Sequence, residues 1–243
     1  TQMLKNLSLI IVFLTVFFPA PLFSQNDSLS IIKVENKTFL SLSPTPTPDS
    51  MTWGAFGAPI ESFYGITAYS NGDKTKGRKY QCTELAHRFA REIYGIPTRI
   101  GMGLGHAKDL AYNMANHFQN YTGTSDSLHG YRVKLEYFAN QQTEYPPVVG
   151  SIVSMYFSES KSGYGHIGVI RQITQISDSS LEAILFDQHG FIHQEVGIPI
   201  QADKVYFAKD GSGKWSGQVF SWVLEERFDL VGWINPVVVG FSQ

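Results

Sequence analysis

A chain of 243 residues carries one cysteine, Cys82, so no internal disulfide can form and an apolar core alone must hold the fold. With 43% hydrophobic and 16% charged residues, the chain can bury one substantial core, and we expect one principal domain over residues 51–240. The start of the chain reads differently. Lys5 is followed by an apolar run from Leu7 to Phe18, then by Pro19, Ala20, Pro21 and the short exit Phe23, Ser24, Gln25. That layout predicts a secretory signal peptide over residues 1–24. The run is shorter than the roughly 20 residues that span a bilayer, so no stable membrane span is expected and the mature chain is placed outside the cytoplasm, secreted or periplasmic. Such a space is oxidising and structural cysteines there normally pair, so a lone thiol calls for a chemical reason. The absence of a cysteine near the cleavage point excludes a lipoprotein.

The formal net charge is −2, and Lys74, Lys76, Arg78 and Lys79 make the one small basic cluster, read as a solvated loop. A nucleic-acid surface needs a clustered basic face, so no nucleic-acid partner is expected. Residues 25–50 are rich in Ser, Thr, Asn, Asp and Pro and end in the alternation Pro44, Pro46, Pro48, which predicts an extended linker. From Cys82 to Tyr94, the residues Leu85, Ala86, Phe89, Ala90 and Ile93 form one apolar stripe at helical spacing. Glu84, Arg88, Arg91 and Glu92 lie opposite, and Gly95 and Pro97 end the helix. A second helix is predicted from Ala107 to about Phe118. Short β-rich runs follow at Val149–Phe157, Ile167–Ile173, Leu181–Phe186 and Phe228–Ile234, separated by turn residues. Helices first and strands later predict an α+β domain with an antiparallel sheet.

Cys82 opens its helix. Unsatisfied backbone N–H groups and the positive end of the helix dipole favour an anion there, which suits a nucleophile, and the Cys82 N–H can point at a developing oxyanion. A nucleophilic thiol needs a base that takes its proton and returns one to the leaving amine. His87 is five residues on, about 140° round the helix axis, and is expected to point away. His106, His117 and His129 have no selecting feature. His166 follows Gly163, Tyr164 and Gly165 and opens the strand Ile167–Ile170, where small neighbours leave room for substrate. Asp187, at the end of the next strand run, is the expected acceptor for the other imidazole nitrogen. His189 stands as an alternative orienting group or a wall of the cleft, and Tyr80, Gln81 and Tyr164 are candidate cleft residues.

The order of a cysteine opening a helix, a histidine opening a strand and an acid closing the next resembles the CHAP family of cysteine- and histidine-dependent amidohydrolases and peptidases. Four stretches carry the likeness: YQCTELAHRFAREIYG at Tyr80, GHAKDL at Gly105, PVVGSIVSMYF at Pro147 and GHIGVIR at Gly165. LFDQHG at Leu185 and GWINP at Gly232 add weaker matches. The resemblance implies a papain-like fold, Cys82 as nucleophile, His166 as base and an amide bond, usually of bacterial peptidoglycan, as substrate. His189 stands where relatives have an asparagine, and Ser151 replaces the usual aspartate of its strand. Some relatives hold calcium before the cysteine, but Asn71 to Lys79 has one acid, Asp73, among four basic residues.

No metal and no cofactor are expected. Asp187, His189, His193 and Cys82 are ligand types that zinc accepts, yet nothing in their spacing makes them converge. The glycines of GMGLG at Gly101 are followed by no lysine and Ser/Thr pair, so they are not a phosphate loop. The sequence thus predicts a secreted amidase or endopeptidase of peptidoglycan with a triad of Cys82, His166 and Asp187. An amidase like that of glutathionylspermidine, and a non-catalytic papain-like module binding wall fragments or a partner protein, are the alternatives. With no wall-binding repeat in the sequence, targeting falls to the domain itself or to an unidentified protein partner.

Overall fold

The computed structural model describes residues 28–48, 50–72, 80–156, 163–188, 196–197, 199–221 and 226–241. The signal-peptide expectation therefore lies outside the described residues. Among these residues the chain runs β1 Leu29–Val34, β2 Lys37–Leu42, β3 Met51–Thr52, β4 Pro59–Phe63, β5 Ile66–Tyr69, α1 Cys82–Tyr94, α2 Ala107–His117 and β6 Tyr131–Ala139. It continues with β7 Ile152–Tyr156, β8 His166–Ser177, β9 Ser180–Phe186, β10 Pro199–Ile200, β11 Lys204–Lys209, β12 Trp215–Ser221 and β13 Glu226–Phe241.

Among the described residues strand accounts for 47% and helix for 14%, and six antiparallel strands close into a barrel. The ring runs β7, β8, β9, β11, β12, β13 and back to β7. The long strand β13 makes the closure, because Phe228 pairs with Val219 of β12 while Trp233 pairs with Val153 of β7. Its later residues leave the ring to pair with β6 and, at Val237, with Phe39 of β2. This corrects the expected α+β papain-like fold with N-terminal helices packed on an antiparallel sheet. The segment from Lys204 to Ser221 supplies β11 and β12, and these bridge β9 to β13. Their period-two pattern is clear: Val205 and Phe207 are buried while Tyr206 is exposed, and Trp215 and Val219 are buried while Phe220 faces out.

One apolar cluster draws on all six barrel strands and includes Val153, Ile170, Leu185, Phe207, Val219 and Trp233. A second joins the helices to the outside of the ring through Phe89, Met114, Ile152, Val169, Phe186 and Ile234. In α1 the stripe Leu85, Ala86, Phe89, Ala90 and Ile93 is buried as its spacing requires, and Phe89 stacks on Phe63 at 5.8 Å between centroids. Each such Leu or Phe contributes roughly 1.5–3 kcal/mol by leaving water. Arg88 grips Glu84 through two bonds of 2.7 and 3.1 Å on the polar face. Ser154 of β7 docks α2 by donating its hydroxyl to the Ala107 carbonyl at 2.7 Å.

Part of the stretch expected as a linker over residues 25–50 is regular structure. Residues 29–42 form the hairpin β1–β2, with Leu40 and Leu42 buried in the helix-side cluster and Phe39 in the barrel cluster. From Phe39 to Leu42 the strand β2 is buried on both faces, between the two clusters, while β1 stays largely half-buried at its outer side. The proline-rich stretch beyond it is fastened by the buried Arg171, whose Nε donates to the Thr45 carbonyl (3.1 Å) and Nη2 to that of Pro46 (2.9 Å). Arg171 also pairs with the buried carboxylate of Glu61. No helix among the described residues is long and apolar enough to cross a membrane.

Candidate active site

The first residue of α1 meets the first residue of β8. Cys82 is buried, and its thiol shares a hydrogen bond with the ring of His166, which is also buried. On the other side of the ring, His166 Nε2 lies 3.1 Å from Asp187 Oδ2, which leaves Nδ1 for the sulfur. Two glycines make this geometry possible. Gly165 has φ +68°, and a Cβ there would sit 2.3 Å from the Met155 carbonyl oxygen, so the turn into His166 admits no side chain. Val169 pairs with Phe186, which brings Asp187 level with Gly168 on the neighbouring strand. A Cβ on Gly168 would stand 3.2 Å from that of Asp187, so the bare position is where the carboxylate reaches along the strand to His166.

Asp187 is continuous with a clamp on the helix start. Gln188 is fully buried, and its Nε2 donates to the Gln81 carbonyl at 3.1 Å and to Glu84 Oε2 at 3.2 Å. Its Oε1 accepts the Tyr69 N–H at 2.7 Å. The end of β9 thus fixes both the acid beside His166 and the turn that presents Cys82. Gln81 itself caps nothing with its side chain, but its carbonyl accepts from Glu84 and Leu85. The Cys82 N–H, at the first helical position, lies ahead of the intrahelical ladder, where a developing oxyanion can use it.

Electrostatics favour a charged imidazole. Burial acts to lower the His166 pKa, but the Cys82 charge, hydrogen bonds to Asp187 and Cys82, and the Asp187 charge together hold it well above the usual value of 6.5. Sequence reasoning missed Asp203, which is buried just before β11. Its carboxylate, that of Asp187 and a His166 ring nitrogen lie within 4.8 Å of one another. Asp203 also accepts the Leu185 N–H on its backbone carbonyl at 2.9 Å. Its position, sixteen residues beyond Asp187 in sequence and adjacent in space, left no local signal. These three residues are of the types that hold a divalent cation, although His166 is already engaged on both sides.

A cleft of about 530 Å³ opens beside Cys82, lined among others by Gln81, His87, Met102, Leu104, His106 and Tyr164. The loop Gly101–Gly105 forms one wall, so the glycine motif shapes the cleft and not a phosphate cradle. Tyr164 is half exposed and meets the His106 ring edge-on at 4.6 Å. His87, expected to point away from Cys82, also lines this cleft, because the loop after α1 folds back over the helix start. Tyr80, at φ +62°, lies behind the turn, 5.0 Å from each of the Phe56 and Tyr69 rings, and does not line the cleft. Ser151, where relatives carry aspartate, donates to Asn235 Oδ1 at 2.6 Å and accepts the Val148 N–H, a structural knot far from the thiol in role. His189 and His193 lie outside the described residues.

A cysteine at a helix start, hydrogen-bonded to a histidine that an aspartate holds, is the arrangement of a thiol-dependent acyl-transfer site. Residues 72–182 match the family model of the CHAP domain, a match that supports a hydrolase of peptidase or amidase type. The matched stretch contains Cys82 and His166 and stops short of Asp187. No curated protein matches the chain.

Proposed function

We propose that the protein cleaves amide bonds of bacterial peptidoglycan, as an N-acetylmuramoyl-L-alanine amidase or an endopeptidase, after export from the cytoplasm. The observation that carries the reading is the buried relay from Cys82 through His166 to Asp187 at the edge of an open cleft. The Cys82 thiolate attacks the amide carbonyl, and the Cys82 N–H receives the charge that develops on oxygen. Imidazolium at His166 protonates the departing amine, leaving a thioester on Cys82. The now neutral imidazole draws a proton from water, which attacks the thioester and restores the thiol. Asp187 keeps the ring oriented and supports its charge throughout.

Among the described residues, the cleft lining contains no Asp, Glu, Lys or Arg. A polyamine conjugate such as glutathionylspermidine would call for acidic groups facing its cationic arm, so the lining supports a neutral peptide amide instead. The experiment is digestion of purified peptidoglycan followed by mass spectrometry of the released fragments. A new N-terminal amine on the alanine freed from muramic acid, with a free carboxyl left on the sugar, would identify the amidase, and new amines within the stem or bridge peptides the endopeptidase. Intact walls of several chemotypes would remove peptidoglycan as the substrate.

A further inference from the structure

His87 is a second buried histidine on the cleft, one the relay does not use. Its Nδ1 lies 2.6 Å from Thr98 Oγ1, and both side chains are buried. This is the side-chain hydrogen bond of Thr98 among the described residues. A buried hydroxyl that only accepted would strand its proton, so Thr98 donates to Nδ1 and the ring proton sits on Nε2. His87 is 6% exposed, and the face it shows borders the cleft. Burial first, then the Arg91 charge, lower its pKa to about 4 against the opposing effect of Glu84, so the ring stays neutral at ordinary pH. Around it the cleft offers Ile100, Met102 and Leu104 and, among the described residues, no formally charged Asp, Glu, Lys or Arg.

We propose that the Nε2–H of His87 is the donor of an uncharged amide subsite: it takes a carbonyl oxygen of the bound peptide, whose small apolar side chain packs on Ile100, Met102 and Leu104. The proposal rests on the reading of Cys82 as the nucleophile of an amidase. His87 acts as a positioning residue, holding the acyl side of the substrate so that the reacting carbonyl faces the sulfur. A neutral N–H suits an amide oxygen, since a carboxylate buried in this lining would lack a cation.

The test compares two reagents that alkylate Cys82 by displacement of halide, with a C–S bond formed and chloride or iodide released. Iodoacetamide reports the reactivity of the thiol. Acetyl-alanyl chloromethyl ketone adds a peptide carbonyl and a methyl side chain that the subsite can hold. His87→Asn keeps a polar group at the level of Nδ1, beside Thr98, but does not reach the position of Nε2; His87→Gln reaches that position. One neutral hydrogen bond is worth about tenfold, so in His87→Asn the ratio of chloromethyl ketone to iodoacetamide rates falls about tenfold, and in His87→Gln it returns to within about threefold. A ratio unchanged in His87→Asn, or lowered equally in both variants, would overturn the subsite. If neither reagent modified Cys82 of the unsubstituted protein, the nucleophile reading beneath the proposal would fall with it. If alkylation behaved as described while peptidoglycan stayed intact, the subsite would stand and the peptidoglycan reading alone would fail.

Discussion

His166 Nε2 stands 3.1 Å from Asp187 Oδ2 with both side chains sealed from water, so the carboxylate has one imidazole to serve and a fixed direction in which to serve it. Replacing Asp187 by Asn removes the charge that supports imidazolium while keeping the shape. Turnover is expected to fall on the order of 10²–10⁴-fold with a measurable residue of activity, since the thiol and the oxyanion donor remain. Steady-state rates of amide hydrolysis check this, and a variant with unaltered kcat would remove Asp187 from the relay.

The same pair sets a pH dependence. Burial opposes the His166 charge, but Cys82 and Asp187 outweigh it and raise the pKa well above 6.5. A raised base keeps its proton at and above that ordinary value and loses it as pH climbs through the raised one, taking the associated stability with it. Activity that needs imidazolium therefore declines on an alkaline limb lying above pH 6.5. Asp187→Asn removes raising contributions and moves that limb to lower pH, which kcat/KM profiles of the two proteins will show or refute.

His87 titrates in the opposite sense. With a value of about 4 in the fold against 6.5 when exposed, it stays neutral where the unfolded chain takes up a proton. Stability is accordingly lost as pH falls from 6.5 toward 4, by up to about 3 kcal/mol. Urea unfolding across that window should give a flatter pH dependence for His87→Gln. Equal slopes would mean that another group governs acid lability.

Arg171 is the bolt between the proline-rich segment and the barrel. Arg171→Met leaves the Glu61 carboxylate buried without its cation and releases the Thr45 and Pro46 carbonyls, a loss of about 3–5 kcal/mol. Adding Glu61→Leu removes the stranded charge and should recover most of it. Denaturant midpoints of the single and double variants decide the matter, and a neutral single variant would show that the ion pair is dispensable.

Local signals served the sequence reading best where one element carries its own pattern. The stripe from Leu85 to Ile93 and the stop at Gly95 located α1, and the runs at Ile167 and Leu181 located β8 and β9. Closure of the barrel was not local: it depends on β13 finding partners on both sides, and on β11 and β12 bridging the gap between β9 and β13. At the site, Asp187 was legible because it ends a strand next to that of His166. Asp203 was not, because its nearness to them arises only when β11 pairs with β9. The helical-wheel angle between Cys82 and His87 was sound, but the wheel carries no information about the loop Gly101–Gly105 that folds the cleft over both.

The central claim is that the Cys82 sulfur makes the covalent intermediate, and the most direct measurement is amine release from peptidoglycan by the unsubstituted protein and by Cys82→Ser at equal concentration. A hydroxyl in place of the thiol keeps the fold but is a far poorer nucleophile, so release is expected to drop at least about 1000-fold while the unfolding midpoint stays within error. Release by Cys82→Ser at a rate close to that of the unsubstituted protein would contradict the account, because hydrolysis would then proceed without the thiol.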